Sequence, residues 1–249
     1  IQRPTGLEQA VVEVAGRLDA RGEEIAPLRL DARLRQQLQQ WRAAGLRSCA
    51  IALMHAYRNP CHELALQRLA RELGFETVVC SHQACPLPRL VPRGQTALVE
   101  AAVSRVLHTY LAQVRGDLGE ATALRVMGSS GALLDPSALL AKDTILSGPA
   151  GGMVGAAAAA QQAGVAAGAL VGFDMGGTST DVFCIPAGVG LEALERSPQT
   201  EIAGLKLLAP RLPIHTVAAG GGSILSTDEQ RLQVGPRSAG ADPGPACYR

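Results

Sequence analysis

The run Val171-Gly172-Phe173-Asp174-Met175-Gly176-Gly177-Thr178-Ser179-Thr180-Asp181-Val182 constrains this chain more than any other stretch. It reads as an apolar strand, an acidic residue, a glycine turn, three consecutive hydroxyls, a second acidic residue and a second apolar strand. Adjacent glycines let backbone approach a bulky anion with no Cβ in the way. Their amides, with Thr178, Ser179 and Thr180, are donors for phosphate oxygens. Asp174 and Asp181 supply the hard oxygen ligands that magnesium takes, directly or through water. A bare Gly-Gly between strand-like runs is also the mark of a plain hairpin turn. That plain reading does not require acids on both sides of a hydroxyl cluster, so the segment is read as a nucleotide-phosphate hairpin.

Two further glycine-rich turns lie near it in sequence. Ser147 to Gly152 opens an alanine-rich helix, and Gly151 and Gly152 sit where free amides and the helix dipole favour an anion. Ala219 to Ser223 follows an apolar strand, and Gly220, Gly221, Gly222 and Ser223 could carry a nucleotide's sugar or base. Each has a plain alternative: close packing of small residues for the first, a strand-to-loop turn for the second. Together the three turns point to one cleft built from several loops.

The rest of the chain reads as α/β. Val11 to Leu18 and Ile25 to Leu30 flank turn residues and suggest a hairpin. Asp31 is placed to cap a helix from about 32 to 44, with Leu34, Leu38 and Trp41 on one face and Gly45 as its stop. A strand over 49–55, a helix from Asn59-Pro60 to Leu73 and a strand over 75–80 form a parallel strand–helix–strand unit. Pro86, Pro88 and Pro92 predict an irregular stretch, followed by a long helix over 96–114. Next come a strand over 123–127, a turn over 128–131 and a short helix over 136–141 behind Asp135. Strands over 205–208 and 214–217 follow, and 235–245 is expected to lack regular structure. A composition shift near Leu146 suggests domains over 1–145 and 146–249.

Hydrophobic residues make up 47% of the 249, enough for sizeable cores, while aromatics are only 3%. With so few aromatic rings and a net charge of +1, neither a nucleic-acid platform nor an anionic membrane surface is expected. The chain shows no apolar span for a bilayer and no secretory leader, which makes a cytoplasmic location the expectation. Its six cysteines include no Cys-x-x-Cys pair, so a structural zinc site is not expected. They are read as reduced, several of them buried in strands, and Cys247 as structural. His55 and His62 are read as a strand-end and a solvated helix histidine. His215 is left open between ligand contact and a structural hydrogen bond.

The hairpin strongly resembles that of the hydantoinase A / 5-oxoprolinase family, within the actin-like (ribonuclease H-like) ATPase superfamily. Further matches are the segments 53–60 (Leu-Met-His-Ala-Tyr-Arg-Asn-Pro), 144–152, 215–223 and 234–248, in the family's order. The resemblance implies part of an actin-like ATPase core with a preceding α/β domain. It implies ATP and Mg2+ as cofactors and ATP-dependent ring opening of a cyclic amide such as hydantoin or 5-oxoproline, through phosphorylation of the carbonyl or enol oxygen. A ketone carboxylase subunit or a non-catalytic nucleotide-binding module are the alternatives. By the resemblance, Gly176, Gly177, Thr178 and Ser179 hold phosphate, Asp174 and Asp181 act on magnesium or the attacking water, and Gly220, Gly221, Gly222 and Ser223 contact the nucleotide. The implied partner is a hydantoinase B-type subunit, and a homo-oligomer is possible. Departures are Ser81-His82-Gln83 where members carry Ser-His-Glu, Gly128-Ser129-Ser130-Gly131 for Gln-Ser-Asn-Gly, and Pro213 for an Asp. A first phosphate loop and the rest of the core are not found, so the chain is read as a fragment, expected to be inactive alone.

Overall fold

A computed structural model of the chain describes residues 7–165, 168–202, 204–227, 230–240, 242 and 244. It is mixed α/β and divides into two units. The first holds residues up to 126, 133–145 and 198–210; the second holds 127–132, 146–197 and the chain from 211 onward.

The first unit begins with a short antiparallel ribbon, β1 (Arg17–Leu18) and β2 (Glu24–Ala26). α1 (Ala32–Ala43) starts where Asp31 accepts a hydrogen bond from the Leu34 amide at 2.8 Å. That bond satisfies one of the donors a helix start leaves free. Gly45 ends the helix at φ 95°, a conformation that suits a residue without Cβ. β3 (Ser48–Ile51) and β4 (Thr77–Cys80) pair in parallel, joined by α2 (Cys61–Glu72) as the crossover. Leu34 and Leu38 from α1 meet Leu66, Leu69 and Ala70 from α2 over Ile51, Val78 and Cys80. The 3.6-residue spacing on both helices therefore closes one face of the pair.

Several boundaries depart from the sequence expectations. The strand of 49–55 ends at Ile51, and His55 sits in a turn at φ 58°. His62 is buried rather than solvated, with Nε2 2.7 Å from a Glu24 carboxylate oxygen. After β4 comes one helical turn, α3 (Ser81–Ala84), and then α4 (Leu90–Leu118), which starts inside the proline-rich stretch. Pro92 lies in the first turn of α4, where a missing N–H removes no intrahelical bond. Val126–Met127 (β5) and Leu133–Leu134 (β6) form a ribbon around the 128–131 turn. The short helix of 136–141 is a turn instead. Asp135 accepts from the Ser137 hydroxyl and amide and pairs with Arg125; the Ser137 bonds first, and Arg125 after them, hold its carboxyl down at about 2. One turn of 3-10 helix follows at Ala141–Thr144, its amides capped by the buried Glu100.

In the second unit, α5 (Ser147–Gln162) precedes β7 (Leu170–Met175) and β8 (Thr180–Ile185). β11 (Ile214–Val217) completes a three-stranded antiparallel sheet in the order β11-β8-β7. Ala150 and Met153 of α5 pack on Phe183 and Ile185, with Leu194 and Leu212. Gly172 is required there, because a Cβ would stand 2.0 Å from the Phe183 ring. Between these strands, β9 (Thr200–Ile202) and β10 (Leu205–Leu207) form a hairpin that packs on Val99 and Val103 of α4, within the first unit. β12 (Ser223–Thr227) and β13 (Leu232–Ser238) make a separate ribbon. β13 corrects the expectation that regular structure ends before Gly235: a two-stranded ribbon has open edges, where Gly and Pro are tolerated. Of the rest of that segment, Ala241, Pro243 and Pro245 lie outside the described residues, and so does Cys247.

Candidate functional site

The three glycine turns come together within the second unit. β7 and β8 pair so that Asp174 stands opposite Asp181, both side chains on the face that carries α5. Asp174 Oδ2 lies 3.1 Å from the point where a Cβ on Gly152 would stand, so α5 adjoins that carboxylate. α5 begins at Ser147, which puts Gly151 and Gly152 beyond its first turn; their amides bond within the helix, which corrects the expectation of free amides at these two glycines. Asp181 Oδ1 accepts from Thr216 Oγ1 of β11 at 2.6 Å. That bond fixes the Asp181 side chain and leaves its second oxygen for a ligand.

The third turn is clamped onto the hairpin tip. The Gly221 amide donates to Gly176 O at 2.9 Å and the Gly222 amide to Gly177 O at 2.7 Å. Thr180, buried, donates through Oγ1 to Ala219 O at 2.6 Å. Gly220 lies so close that a Cβ would meet Gly176 O at 2.6 Å and Ser179 N at 2.8 Å. These amides and the Thr180 proton are therefore spent on joining the two loops. The Gly220 amide donates to Ser223 Oγ at 2.9 Å, and the Gly176 amide donates across the turn to Ser179 O at 2.9 Å. The amides of Gly177 and Thr178, and the hydroxyls of Thr178 and Ser179, take no hydrogen bond among the described residues. The donors left for an anion thus lie at the tip of the β7–β8 turn.

Beside Thr216 lies a cavity of about 10 Å³ lined by Ser129, Pro149 and Arg211 among others, with room for one water and not for a nucleotide. What the arrangement offers is an open face: two adjacent carboxylates, the free amides and hydroxyls of the hairpin tip, and beside them the glycine surface of α5. Two carboxylates side by side fit a hard cation such as Mg2+. His215 is exposed on β11, opposite Val182.

A second polar cluster, in the first unit, was not anticipated. Glu63 of α2 is fully buried; its oxygens accept from Leu53 N at 2.8 Å, Ser81 Oγ at 2.5 Å, His82 N at 3.1 Å and His82 Nδ1 at 2.6 Å. With Cys80 these residues place potential metal-ligand atoms within 4.8 Å of one another. The carboxylate is already saturated, and burial, with Glu63's charge second, pushes the Cys80 thiol up to about 12. The set is a closed hydrogen-bond network, not a metal centre. The signal was present in the sequence as Ser81-His82, but Glu63 lies too far away in sequence to be paired with it. Among the other described cysteines, Cys61 and Cys184 are exposed, and none is in a disulfide.

The chain matches the model of the hydantoinase/oxoprolinase family over residues 93–249, and that of the family's N-terminal region over residues 1–74. It belongs to that family. Among relatives it is 40% identical over 221 residues to 5-oxoprolinase of Saccharomyces cerevisiae, covering 88% of this chain and 17% of the yeast protein. It is 32% identical to the caprolactamase subunit alpha of Pseudomonas jessenii, covering 94% of this chain and 34% of that subunit. Two solved structures share the fold. Nucleotide-free acetone carboxylase superposes with a TM-score of 0.74 at 28% identity, over 91% of this chain and 32% of that one. The ATP-dependent caprolactamase of Pseudomonas jessenii superposes with a TM-score of 0.72 at 31% identity, over 94% and 34%. The chain thus spans a small part of the family members it matches. No helix among the described residues is long and apolar enough to cross a membrane.

Proposed function

We propose that this chain carries the nucleotide-handling part of an ATP-dependent enzyme that opens a cyclic amide. The observation that carries the reading is the Asp174–Asp181 pair, flanked by glycine turns and by the free donors of the hairpin tip. The relatives' names, 5-oxoprolinase and caprolactamase, support the cyclic amide as substrate class. An actin-like ATPase core is the fold-level form of the same proposal.

In this reading the Gly177 and Thr178 amides and the Thr178 and Ser179 hydroxyls bind phosphate oxygens. Gly151 and Gly152 line the opposite side, next to Asp174. Asp174 and Asp181 hold Mg2+, which would neutralise charge on the transferring phosphoryl group. Gly220, Gly221, Gly222 and Ser223 act by packing: they brace the turn so that its donors stay aimed. Transfer of the terminal phosphoryl group to the amide oxygen releases ADP and weakens the C–N bond; one water then adds to the carbonyl carbon and the protonated ring nitrogen departs, leaving an acyl phosphate, which a second water hydrolyses to carboxylate and phosphate. The protein's share is positioning and charge stabilisation. A hydantoinase B-type partner would complete the enzyme, in keeping with the subunit names of the relatives.

The likeness to acetone carboxylase supports a second reading, in which the phosphoryl acceptor is an enol oxygen and the product a carboxylated ketone. The decisive first measurement is titration calorimetry of Mg-ATP on the full chain and on Asp174→Asn. Saturable binding, weakened at least about tenfold by the substitution through loss of one charged ligand, is the expected outcome. Equal binding by both proteins would remove Asp174 from the site. Phosphate release in the presence of a lactam or of a ketone plus bicarbonate, with the partner subunit added, separates the two readings.

A further inference from the structure

β7 is an edge of the second unit's sheet. β8 pairs with one side of it, and no strand among the described residues pairs with the other. The hairpin fixes what the open side presents. The Gly176 amide bonds to Ser179 O across the turn, so Gly176 and Ser179 occupy a hydrogen-bonded position. Bonded and non-bonded pairs alternate along an antiparallel ladder. Asp174–Asp181 and Gly172–Phe183 are therefore bonded pairs, while Met175–Thr180, Phe173–Val182 and Val171–Cys184 are not. The N–H and C=O groups of Val171, Phe173 and Met175 thus point away from β8, to the open edge. The side chains of the same residues are exposed on the face opposite α5.

Open edges are usually blunted by lysine, proline or a bulge. β7 reads Leu170-Val171-Gly172-Phe173-Asp174-Met175 and pairs with β8 in an unbroken register, so it has none of these. Its one charge, Asp174, lies on the α5 face. The strand also complements itself. Antiparallel pairing of two copies about Phe173 sets Phe173 against Phe173, and Val171 of each copy against Met175 of the other. Every one of these is a bonded pair that exchanges two hydrogen bonds, and apolar side chains meet only apolar ones. Asp174 falls opposite Gly172 of the second copy, so no like charges face each other. Sliding the pairing by two residues loses this match. In one direction Asp174 faces Asp174, which repels; in the other Met175 has no partner on β7.

We propose that this edge is the contact of a symmetric dimer of the chain, in which two three-stranded sheets join through β7 into one continuous sheet. The same strand serves on both sides, so the contact closes on itself and does not propagate through β7.

The inference rests on the edge alone and does not depend on the nucleotide reading. Sedimentation of the full chain over a concentration series, without nucleotide, is expected to show a reversible monomer–dimer equilibrium. Phe173→Lys brings two ammonium groups together on the symmetry axis and should weaken the dimer at least about tenfold. Val171→Lys and Met175→Glu should each weaken it alone, and mixing these two variants should restore association, because the register sets residue 171 against residue 175. Amide exchange on the wild-type chain gives a second readout. The Val171, Phe173 and Met175 amides should slow as concentration rises, while those of Gly172 and Asp174, already bonded to β8, should not. A chain that stays monomeric would overturn the proposal and leave the edge to a strand of another protein. A dimer that Phe173→Lys leaves intact would overturn it too, as would variants that fail to associate when mixed. Where a variant does not fold, the wild-type exchange pattern decides.

Discussion

At the scale of single residues, Gly220 shows how little of the candidate site is side chain. Its α-carbon lies so near the β7–β8 turn that a methyl group would strike only backbone: Gly176 O, Gly177 C and Ser179 N, all within 2.8 Å. Backbone cannot rotate away as a flexible side chain can, so the two loops must part. Parting them breaks the Gly221–Gly176 and Gly222–Gly177 hydrogen bonds that brace the turn. Gly220→Ala is therefore expected to weaken Mg-ATP binding about tenfold or more, a loss comparable to one or two such bonds at about 1 kcal/mol each. Calorimetry on the variant checks this, and unchanged affinity would show that the loops do not cooperate. Neither Asp174 nor Asp181 bonds to the 219–223 turn, so substitution there is expected to leave the loops joined and, on the proposed reading, to act through charge alone. The contrast separates the residues proposed to hold the ligand from those that hold the loop.

At the scale of elements, α4 shows what the sequence pattern reveals and what it hides. The α1 and α2 helices were legible because Leu34 and Leu38, and Leu66 and Leu69, recur at helical spacing next to clear stop signals at Gly45 and Gly74. The hairpin was legible because its glycines, hydroxyls and acids are contiguous. The start of α4 was hidden by Pro86, Pro88 and Pro92, which argue against a helix until Pro92 is placed in its first turn. β12 and β13 were hidden by Gly235 and Pro236, which only a ribbon edge accepts. The Glu63–Ser81–His82 cluster was hidden because its members come from two helices, α2 and α3, that only the fold brings together. Thr96 ties α4 to the β9–β10 hairpin: its hydroxyl donates to Pro92 O at 2.7 Å and accepts from the Leu208 amide at 2.9 Å, fully buried. Thr96→Val keeps the shape and strands the Leu208 amide. The expected cost is about 1–3 kcal/mol, or roughly 2–4 °C in Tm per kcal/mol for a chain of this size. Differential scanning calorimetry measures it, and an unchanged Tm would mean that apolar contacts of Val99 and Val103 alone hold the hairpin.

At the scale of the whole molecule, the two units bury their sheets unequally. In the second unit α5 covers one face of the β11-β8-β7 sheet, where Phe183 and Ile185 are buried. On the other face Val171, Phe173 and Met175 of the edge strand β7 are 68%, 67% and 57% exposed. Alternate residues on a strand point to opposite faces, so these side chains form one apolar stripe along a free edge. Contiguous apolar surface of this kind attracts other apolar groups. The chain is accordingly expected to enhance the fluorescence of the apolar dye ANS while its far-UV circular dichroism stays that of a folded α/β protein. Replacing Val171 and Phe173 together by threonine keeps residues suited to a strand and removes the stripe's centre. The double variant should bind less dye at unchanged stability, within about 0.5 kcal/mol as for exposed positions. Dye binding that persists undiminished would place the apolar surface elsewhere. A loss of stability instead would mean that the stripe is already packed against part of the chain in solution.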